Sequence, residues 1–585
     1  MATSKEEKIP SKSKALVVAA IDFGTMYSGY AFSLTQDWKK TYTYTWYGGN
    51  APSNKNPTVL LLDSNEEFVA FGYDAEDQYS KLTAKKVHED YYYFQRFKMI
   101  LHQDLGVKKN ILCTDELGKK LPASMVFAHC IRHLKDHLLT EINKSIPGIS
   151  TEEVDYVLTV PAIWGERAKR FMREAAKEAG IKERLIIALE PEAASIYCQH
   201  LTKEDLTKDD HKQTSSVLGQ LSVGDKYMVV DLGGGTADIT VHQQCEDLTL
   251  EEIVPASGGP WGGKSVDDRF IGFLENISGP ESMAEYKKQN MYDFLDILRK
   301  FEITKRSITP EKTGHVWVRI PLSFFEFCKT NRKVKNASAA IEVSSHKGIV
   351  QYESGKLKWT VENFKQIFFE ETVDSIVKHI EKLLKDAKIR DTKAILMVGG
   401  FSECKLVQQA IIKKCTGKKV IIPIDAGLAV VKGAVYFGHD PKAISRRVAM
   451  YTYGIQTWPE FKPTLHPLSK KYEIDGKSRC KDVFFPIVRK GEKIPVGLSK
   501  PQIFRPLFEK GSMLHCSVYI SDDEDPKYID ESGCDLLGTL EVPLLNHDPA
   551  NVEVEETLYF GETELRVTAR DLSTNKAIDF TFDIL

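Results

Sequence analysis

Two short segments of this chain carry the residue types that could hold a phosphate group. Asp22-Phe23-Gly24-Thr25 follows the apolar run Ala15–Ile21, and Asp231-Leu232-Gly233-Gly234-Gly235-Thr236 follows Tyr227–Val230. A carboxylate at a strand end can hold a magnesium ion, largely through water, because this hard ion keeps part of its hydration shell. Glycine lets backbone N–H groups approach phosphate oxygens, and a concave row of such amides binds anions. Each threonine hydroxyl adds one more donor. Either segment alone is equally well an ordinary hairpin turn. Together, with matching apolar lead-in strands, they point to a phosphate site. Two weaker signals accompany them. Glu190-Pro191-Glu192-Ala193-Ala194 follows an apolar run and could bring a third carboxylate to the metal, or could be only a helix start rich in acids. Gly399-Gly400-Phe401 is a third glycine turn behind an apolar strand.

The surrounding pattern supplies elements that could position these groups. Each motif sits between two strands, Ala15–Ile21 with Tyr27–Leu34 and Tyr227–Val230 with Ala237–His242, so a hairpin is expected twice. The repeat predicts two similar α/β lobes. Between the hairpins the sequence predicts a helix over Ser124–Asn143 and a strand over Val154–Val160. A charged helix over Glu166–Ala179 follows, closed by Gly180. A strand over Leu185–Leu189 and a helix from Glu192 to about His200 come next, an order that argues for a layered α/β domain. Leu201–Lys226 is polar and reads as a surface insertion. Helices are expected over Tyr286–Ser307, Thr360–Ala387 and Ala426–Phe437, with a strand over Ala394–Val398. Beyond Val448 short alternating segments take over: Cys516–Ile520, Thr539–Val542, Val552–Tyr559, Glu564–Ala569 and Ile578–Phe582. They predict an antiparallel β domain. The expected division is a flexible tail (1–14), two lobes (15–226 and 227–440), a linker (441–447) and the β domain (448–585).

Bulk properties bound the function. A chain of 585 residues exceeds what one core normally holds. Its 42% hydrophobic and 28% charged content is that of a soluble globular protein, and the net charge of −3 gives no reason to expect nucleic acid or anionic membrane as a partner. No apolar run reaches membrane-spanning length, and Met1–Lys14 lacks the apolar core of a signal peptide. Ten cysteines without any Cys-x-x-Cys pair suit a reducing compartment, so a cytoplasmic location is the expectation.

Seven motifs in order carry a resemblance. Asp22-Phe23-Gly24-Thr25, Val160-Pro161-Ala162, Glu190-Pro191, Asp231–Asp238, Gly262-Gly263, Glu302 with Lys305-Arg306, and Val398-Gly399-Gly400 match the order and spacing seen in the heat-shock 70 kDa chaperone family. The match covers roughly residues 15–440, and the insertion after residue 200 is most similar to the heat-shock 70 kDa protein 12 subfamily. The resemblance implies a two-lobed actin-like ATPase fold that binds ATP or ADP with Mg²⁺. By it, Asp22, Glu190 and Asp231 arrange the metal and its waters. Thr25, Met26, Tyr27, Gly233, Gly234, Gly235, Thr236 and Gly263 fall on the phosphate side. Glu302, Lys305, Arg306 and Thr309 fall on the adenosine side, and Gly399, Gly400 and Asp425 near the ribose and α-phosphate. A catalytic lysine is expected within Tyr93–Leu101, at Lys98, with Arg96 as the alternative register. Such a cation would neutralise charge developing on the γ-phosphoryl group.

The departures from the family pattern are specific. Met26 replaces the second of two threonines, and Glu403 stands where an arginine usually flanks the adenine, with Lys405 close by. The C-terminal segments Leu536–Val542 and Glu564–Asp571 resemble strands of the family's peptide-binding β-sandwich, with no helical lid expected after them. Ile444-Ser445-Arg446-Arg447-Val448 replaces the family's acidic-apolar linker. The resemblance therefore implies a weakly hydrolysing, ATP-binding, chaperone-like protein that engages protein clients through its β domain, with co-chaperones as further partners. A nucleotide-regulated scaffold or receptor without productive hydrolysis is the alternative. A small-molecule kinase on the same core is the third reading, disfavoured by the β domain. His129, His133 and His137 share one helix face at zinc-binding spacing, but no acid completes a metalloprotease motif, and packing is the expectation. Packing is also expected of the aromatic runs Tyr42–Tyr47 and Tyr91–Phe94.

Overall fold

The computed structural model describes residues 15–48, 52–102, 110–182, 184–201, 222–279, 282–474, 476–505, 513–543, 553–572, 576–577 and 581–583. The expected tail (1–14), the core of the insertion (202–221) and part of the segment Ile578–Phe582 lie outside these residues.

The same plan is built twice. Val17–Asp22, wholly buried, pairs antiparallel with Tyr27–Leu34 and parallel with Val154–Val160, which pairs parallel with Leu185–Leu189. Lys226–Leu232 likewise pairs antiparallel with Ala237–Gln244 and parallel with Ala394–Val398, which pairs parallel with Lys419–Ile421. The central strands Val17–Asp22 and Ala394–Val398 are buried at every position, and their runs Val17–Ile21 and Ala394–Val398 are accordingly apolar without alternation. Helices Glu190–Gln199 and Ala429–His439 fill the space between the two sheets. Val18, Ala20 and Val157 of one sheet and Val229, Leu396 and Val398 of the other share a single core with Ala193, Ala194, Val430 and Ala434. Both hairpin turns therefore open on the same cleft.

A further layer closes one side of it. The helix Gly263–Ser278 packs on Ser282–Arg306, which is kinked at Asn290, and on a three-stranded sheet around Leu357 and Trp359. The helix expected over Thr360–Ala387 is instead Val361–Lys365, a π turn at Gln366–Glu370, and Glu371–Leu383. The wider turn brings both Phe368 and Phe369 against the core that holds Phe364, which a regular turn would separate by about 100°.

The segment expected as a linker is a strand. Ile444–Val448 runs parallel to Leu250–Gly259, and its other edge takes Lys493–Pro495 from the C-terminal region. Its charges find partners far away in sequence. Arg447 grips Glu192 through Nε and Nη2, both at 2.7 Å, and the Val448 amide donates to Glu252 at 2.8 Å. Beyond it stand a five-stranded and a four-stranded antiparallel sheet. Ile455, Val518, Ile520 and Leu540 of the first share a core with Leu558, Phe560 and Val567 of the second. This region contacts the charged helix Glu166–Glu178: Arg173 Nε lies 2.9 Å from both Glu564 oxygens, and the Leu565 amide donates to Glu166 at 2.9 Å. Among the described residues no helix is long and apolar enough to cross a membrane.

The histidine trio serves packing. His137 Nδ1 is 2.7 Å from the Tyr30 hydroxyl, inside a cage completed by Tyr44 and Trp46, and His133 lies against Phe68 and Phe71. Burial, with His137 alongside, pushes His133 down to about 4. The unfolded chain takes up a proton near pH 6.5 that the folded site refuses. Stability is therefore present above pH 6.5 and is lost as pH falls towards 4, by about 2 kcal/mol at pH 5. Thermal unfolding at pH 7 and pH 5 should show a smaller acid-induced drop for His133→Phe than for the wild type.

Candidate functional site

The site is made where the two turns face each other. Asp22 ends the first strand and Asp231 lies near the end of its counterpart in the second lobe; Glu190 starts the helix after Leu185–Leu189. Asp238 is the cross-strand partner of Asp231, so both carboxylates project from one face of the hairpin. All four are nearly removed from solvent, Asp231 at 3% exposure and Asp238 at 1%. Burial, then the charges of Glu190, Asp238 and Asp22, pushes Asp231 well above the carboxylate range. Burial pushes Glu190 up to about 7, against the pull of Lys98. Asp238 is also raised by burial, although it accepts the Ile163 amide at 3.0 Å and the Thr236 hydroxyl at 2.8 Å. Asp231 Oδ2 is buried and has no hydrogen-bond partner among the described residues.

Two lysines answer this negative charge. Lys98, 2% exposed, places Nζ 3.2 Å from Glu190 Oε1 and 4.9 Å from the Trp164 ring. Arg96, the alternative register, is in the left-handed region at φ 59° and points elsewhere, 3.7 Å from Asp267 and 3.9 Å from Asp268. The second lysine went unnoticed in the sequence. Lys55 Nζ lies 2.6 Å from Asp22 Oδ2, while the Thr159 hydroxyl donates to Asp22 Oδ1 at 3.1 Å. Burial opposes the ammonium charge, but Asp22, Asp231 and Glu190 hold Lys55 above the usual lysine range. Nothing in the polar stretch Ser53-Asn54-Lys55 marks it. Asp238 was legible, since counting back across the second turn pairs it with Asp231.

Space at the turns is reserved by glycine. A Cβ on Gly234 would stand 2.5 Å from Met26 Cγ, and one on Gly235 would stand 2.5 Å from Met99 Sδ and 2.6 Å from Thr25 Oγ1. The first turn thus presses Thr25 and Met26 directly against the second. The start of the helix Gly263–Ser278 braces the loop from behind: the amides of Gly262, Gly263 and Lys264 donate to the carbonyls of Gly235, Gly233 and Gly234 at 3.2, 3.2 and 2.8 Å. Gly399 has φ +83°, and a Cβ there would fall 2.3 Å from Asp231 Oδ1. Gly400 beside it faces open space.

The end of the helix Ser282–Arg306 joins this group. Glu302 lies between Lys305 at 2.5 Å and Arg306 at 2.6 Å, and Lys305 also reaches Asp267 at 2.5 Å. Burial raises Glu302, but the two cations outweigh it and hold the carboxyl below its ordinary range. The Arg306 guanidinium stands 5.8 Å from the Tyr27 ring, and Glu403 is near enough to favour its charge. Glu302, Lys305, Arg306, Tyr27 and Glu403 thus converge from three distant segments. Thr309 lies past the helix end, where its carbonyl accepts the Lys312 amide at 3.3 Å; among the described residues no contact draws it into this group. Asp425 is engaged by the Tyr197 hydroxyl at 2.9 Å and by Lys432. Its neighbour Ala426 accepts the Gly399 amide at 2.9 Å, which keeps that turn beside the third glycine motif.

The arrangement suits a phosphate chain with a divalent cation. An orphaned carboxylate oxygen on Asp231, with open space at Gly400 beside it, is what such a ligand requires.

A family model described as Hsp70 protein matches residues 83–440. Heat shock 70 kDa protein 12B of Homo sapiens is 34% identical over 640 aligned positions, covering 99% of this chain and 93% of its own length. Heat shock 70 kDa protein 12A of Mus musculus is 33% identical over 621 positions, covering 97% and 92%. Its Homo sapiens counterpart is 32% identical over 631, covering 99% and 93%.

Two substitutions at adjoining positions should move stability in opposite directions. Asp231→Asn replaces a buried carboxyl whose ionisation is opposed by burial and three neighbouring acids, and is expected to stabilise the ligand-free protein by about 1 kcal/mol. Gly399→Ala forces both a left-handed backbone and a clash, and is expected to cost about 1–3 kcal/mol. Chemical unfolding of the two variants beside the wild type checks both signs.

Proposed function

Because this chain belongs to the Hsp70 protein family, we propose that it binds ATP in the cleft between the two glycine turns, hydrolyses it slowly, and couples nucleotide state to the holding of a protein client. The observation that supports this is the convergence of Asp22, Glu190, Asp231 and Asp238 with Lys98 at two opposed turns that have room only for glycine.

In this reading each residue of the cleft has a role. Backbone amides of Gly234, Gly235 and Thr236, with the Thr25 hydroxyl, cradle the phosphates, while the Gly233 amide donates to the Thr236 carbonyl at 2.9 Å and holds the turn closed. Gly399 and Gly400 let the ribose side approach, Gly263 braces the cradle, and Glu302, Lys305 and Arg306 face the adenosine. Mg²⁺, held by Asp231 and Glu190 with Asp22, largely through water, would supply charge neutralisation on the phosphate oxygens. Lys98 lowers the cost of negative charge on the γ-phosphoryl group as water attacks. Glu190, whose proton affinity burial raises in the ligand-free cleft, accepts the proton of that water. Met26 in place of a hydroxyl leaves the phosphate grip one donor short, which keeps turnover low.

The client module in this proposal is a β-sandwich formed by the two antiparallel sheets after Val448, with co-chaperones as further partners and the cytoplasm as the setting. All ten cysteines are free, which fits a reducing compartment. A nucleotide-regulated scaffold that does not turn over is the second reading, favoured by Met26 lodged against Gly234. A single-turnover assay with labelled ATP and Mg²⁺ separates them. Wild type should release phosphate about 100-fold faster than Asp231→Ala. Tight ATP binding with no release above that variant would replace the enzyme by the scaffold.

A further inference from the structure

The first hairpin carries a cation that the roles above leave unused. Lys55 precedes the short strand Asn56–Pro57, which pairs with Tyr27 and Ser28 of that hairpin. Its side chain crosses the hairpin at Gly29, where a Cβ would stand 3.2 Å from Lys55 Cγ. Gly29 is also the register partner of Asp22. The missing side chain at Gly29 therefore leaves room for Lys55 to reach Asp22, and the ammonium ends 2.6 Å from Oδ2 with the side chain 20% exposed. With Thr159 on Oδ1, both oxygens of Asp22 are engaged.

The distribution of charge over the cleft is uneven. Glu190 has Lys98 and Asp22 has Lys55, whereas Asp231 Oδ2 has no hydrogen-bond partner among the described residues. A triphosphate brought to these acids adds several negative charges and demands cations nearby. A tethered ammonium meets part of that demand at a concentration that dilution or chelation cannot lower. It is a compact point charge with three rotatable donors, able to hold a carboxylate and a phosphate oxygen together.

We propose that Lys55 is the resident counter-cation of the cleft, neutralising Asp22 and pairing with the ATP phosphates so that the nucleotide is held without divalent metal. The proposal rests on the reading of the cleft as an ATP site. It makes Lys55 a binding residue that sets metal dependence: with Asp22 already paired to an ammonium, its share in holding magnesium falls and the ion adds little to affinity.

Isothermal titration of the full chain with ATP, once with excess Mg²⁺ and once with EDTA, tests it. Wild-type affinity should differ by less than about threefold between the two conditions, while Lys55→Met should lose about tenfold or more in EDTA and recover with Mg²⁺. Lys55→Arg should behave as the wild type, and melting curves of the ligand-free variants report whether each is folded. A wild type that loses tenfold or more in EDTA overturns the proposal, and that comparison needs no variant to fold. So does Lys55→Met binding ATP in EDTA as tightly as the wild type. Absence of ATP binding by the wild type under both conditions removes the ATP site itself, and this proposal with it. Binding that is tight only with Mg²⁺ leaves the ATP site standing and removes the role of Lys55 alone.

Discussion

Four carboxylates buried in one cleft repel one another, and much of the surrounding architecture exists to keep them there. Each sits at the end of a strand or the start of a helix, where backbone geometry rather than side-chain preference sets its position. Uncompensated, such burial would neutralise the acids. Lys98 and Lys55 offset it at Glu190 and Asp22, hydrogen bonds offset it at Asp238, and at Asp231 it stands uncompensated. A site with unmet demand for positive charge is prepared for a ligand that brings a cation. That unmet demand is also a reservoir of instability which only a well-packed scaffold can tolerate.

The scaffold is the apolar layer of two helices between two sheets. Because Glu190–Gln199 belongs to that layer, the cleft is tied to regions remote from it. Glu190 and Glu192 lie two residues apart across Pro191, one on Lys98 in the cleft and the other on Arg447 of the strand Ile444–Val448. That strand in turn pairs with Lys493–Pro495 of the C-terminal region. Burial opposes the charge of Arg447, but Glu192 and then Glu252 hold it firmly protonated. The start of one short helix is thus joined by ion pairs to both the acidic cleft and the strand that carries the C-terminal sheets.

Much of the framework was legible in the sequence. Tyr27–Leu34, Val154–Val160, Leu185–Leu189 and Ala394–Val398 were read to the residue, the last two because strands buried on both faces are continuous apolar runs with sharp ends. The strand Ile444–Val448 was read as a linker for the opposite reason. Its serine and two arginines look solvated until Glu192, Glu251 and Glu252 are folded against them. The break at Gln366–Glu370 was invisible too, because periodicity does not register one extra residue in a turn.

By itself, the sequence determined the chemistry on offer: acids at strand ends, glycines where backbone must approach a ligand, and the repetition of that unit in two lobes. These are local properties of side-chain type and spacing. Only the tertiary structure decided how the charges pair. It put Lys98 rather than Arg96 beside Glu190, turned Asp425 towards Lys432, left Thr309 outside the group, and brought Lys55 across Gly29 onto Asp22. Electrostatic pairing depends on distances of a few ångströms between residues far apart in the chain, and no local pattern encodes those distances.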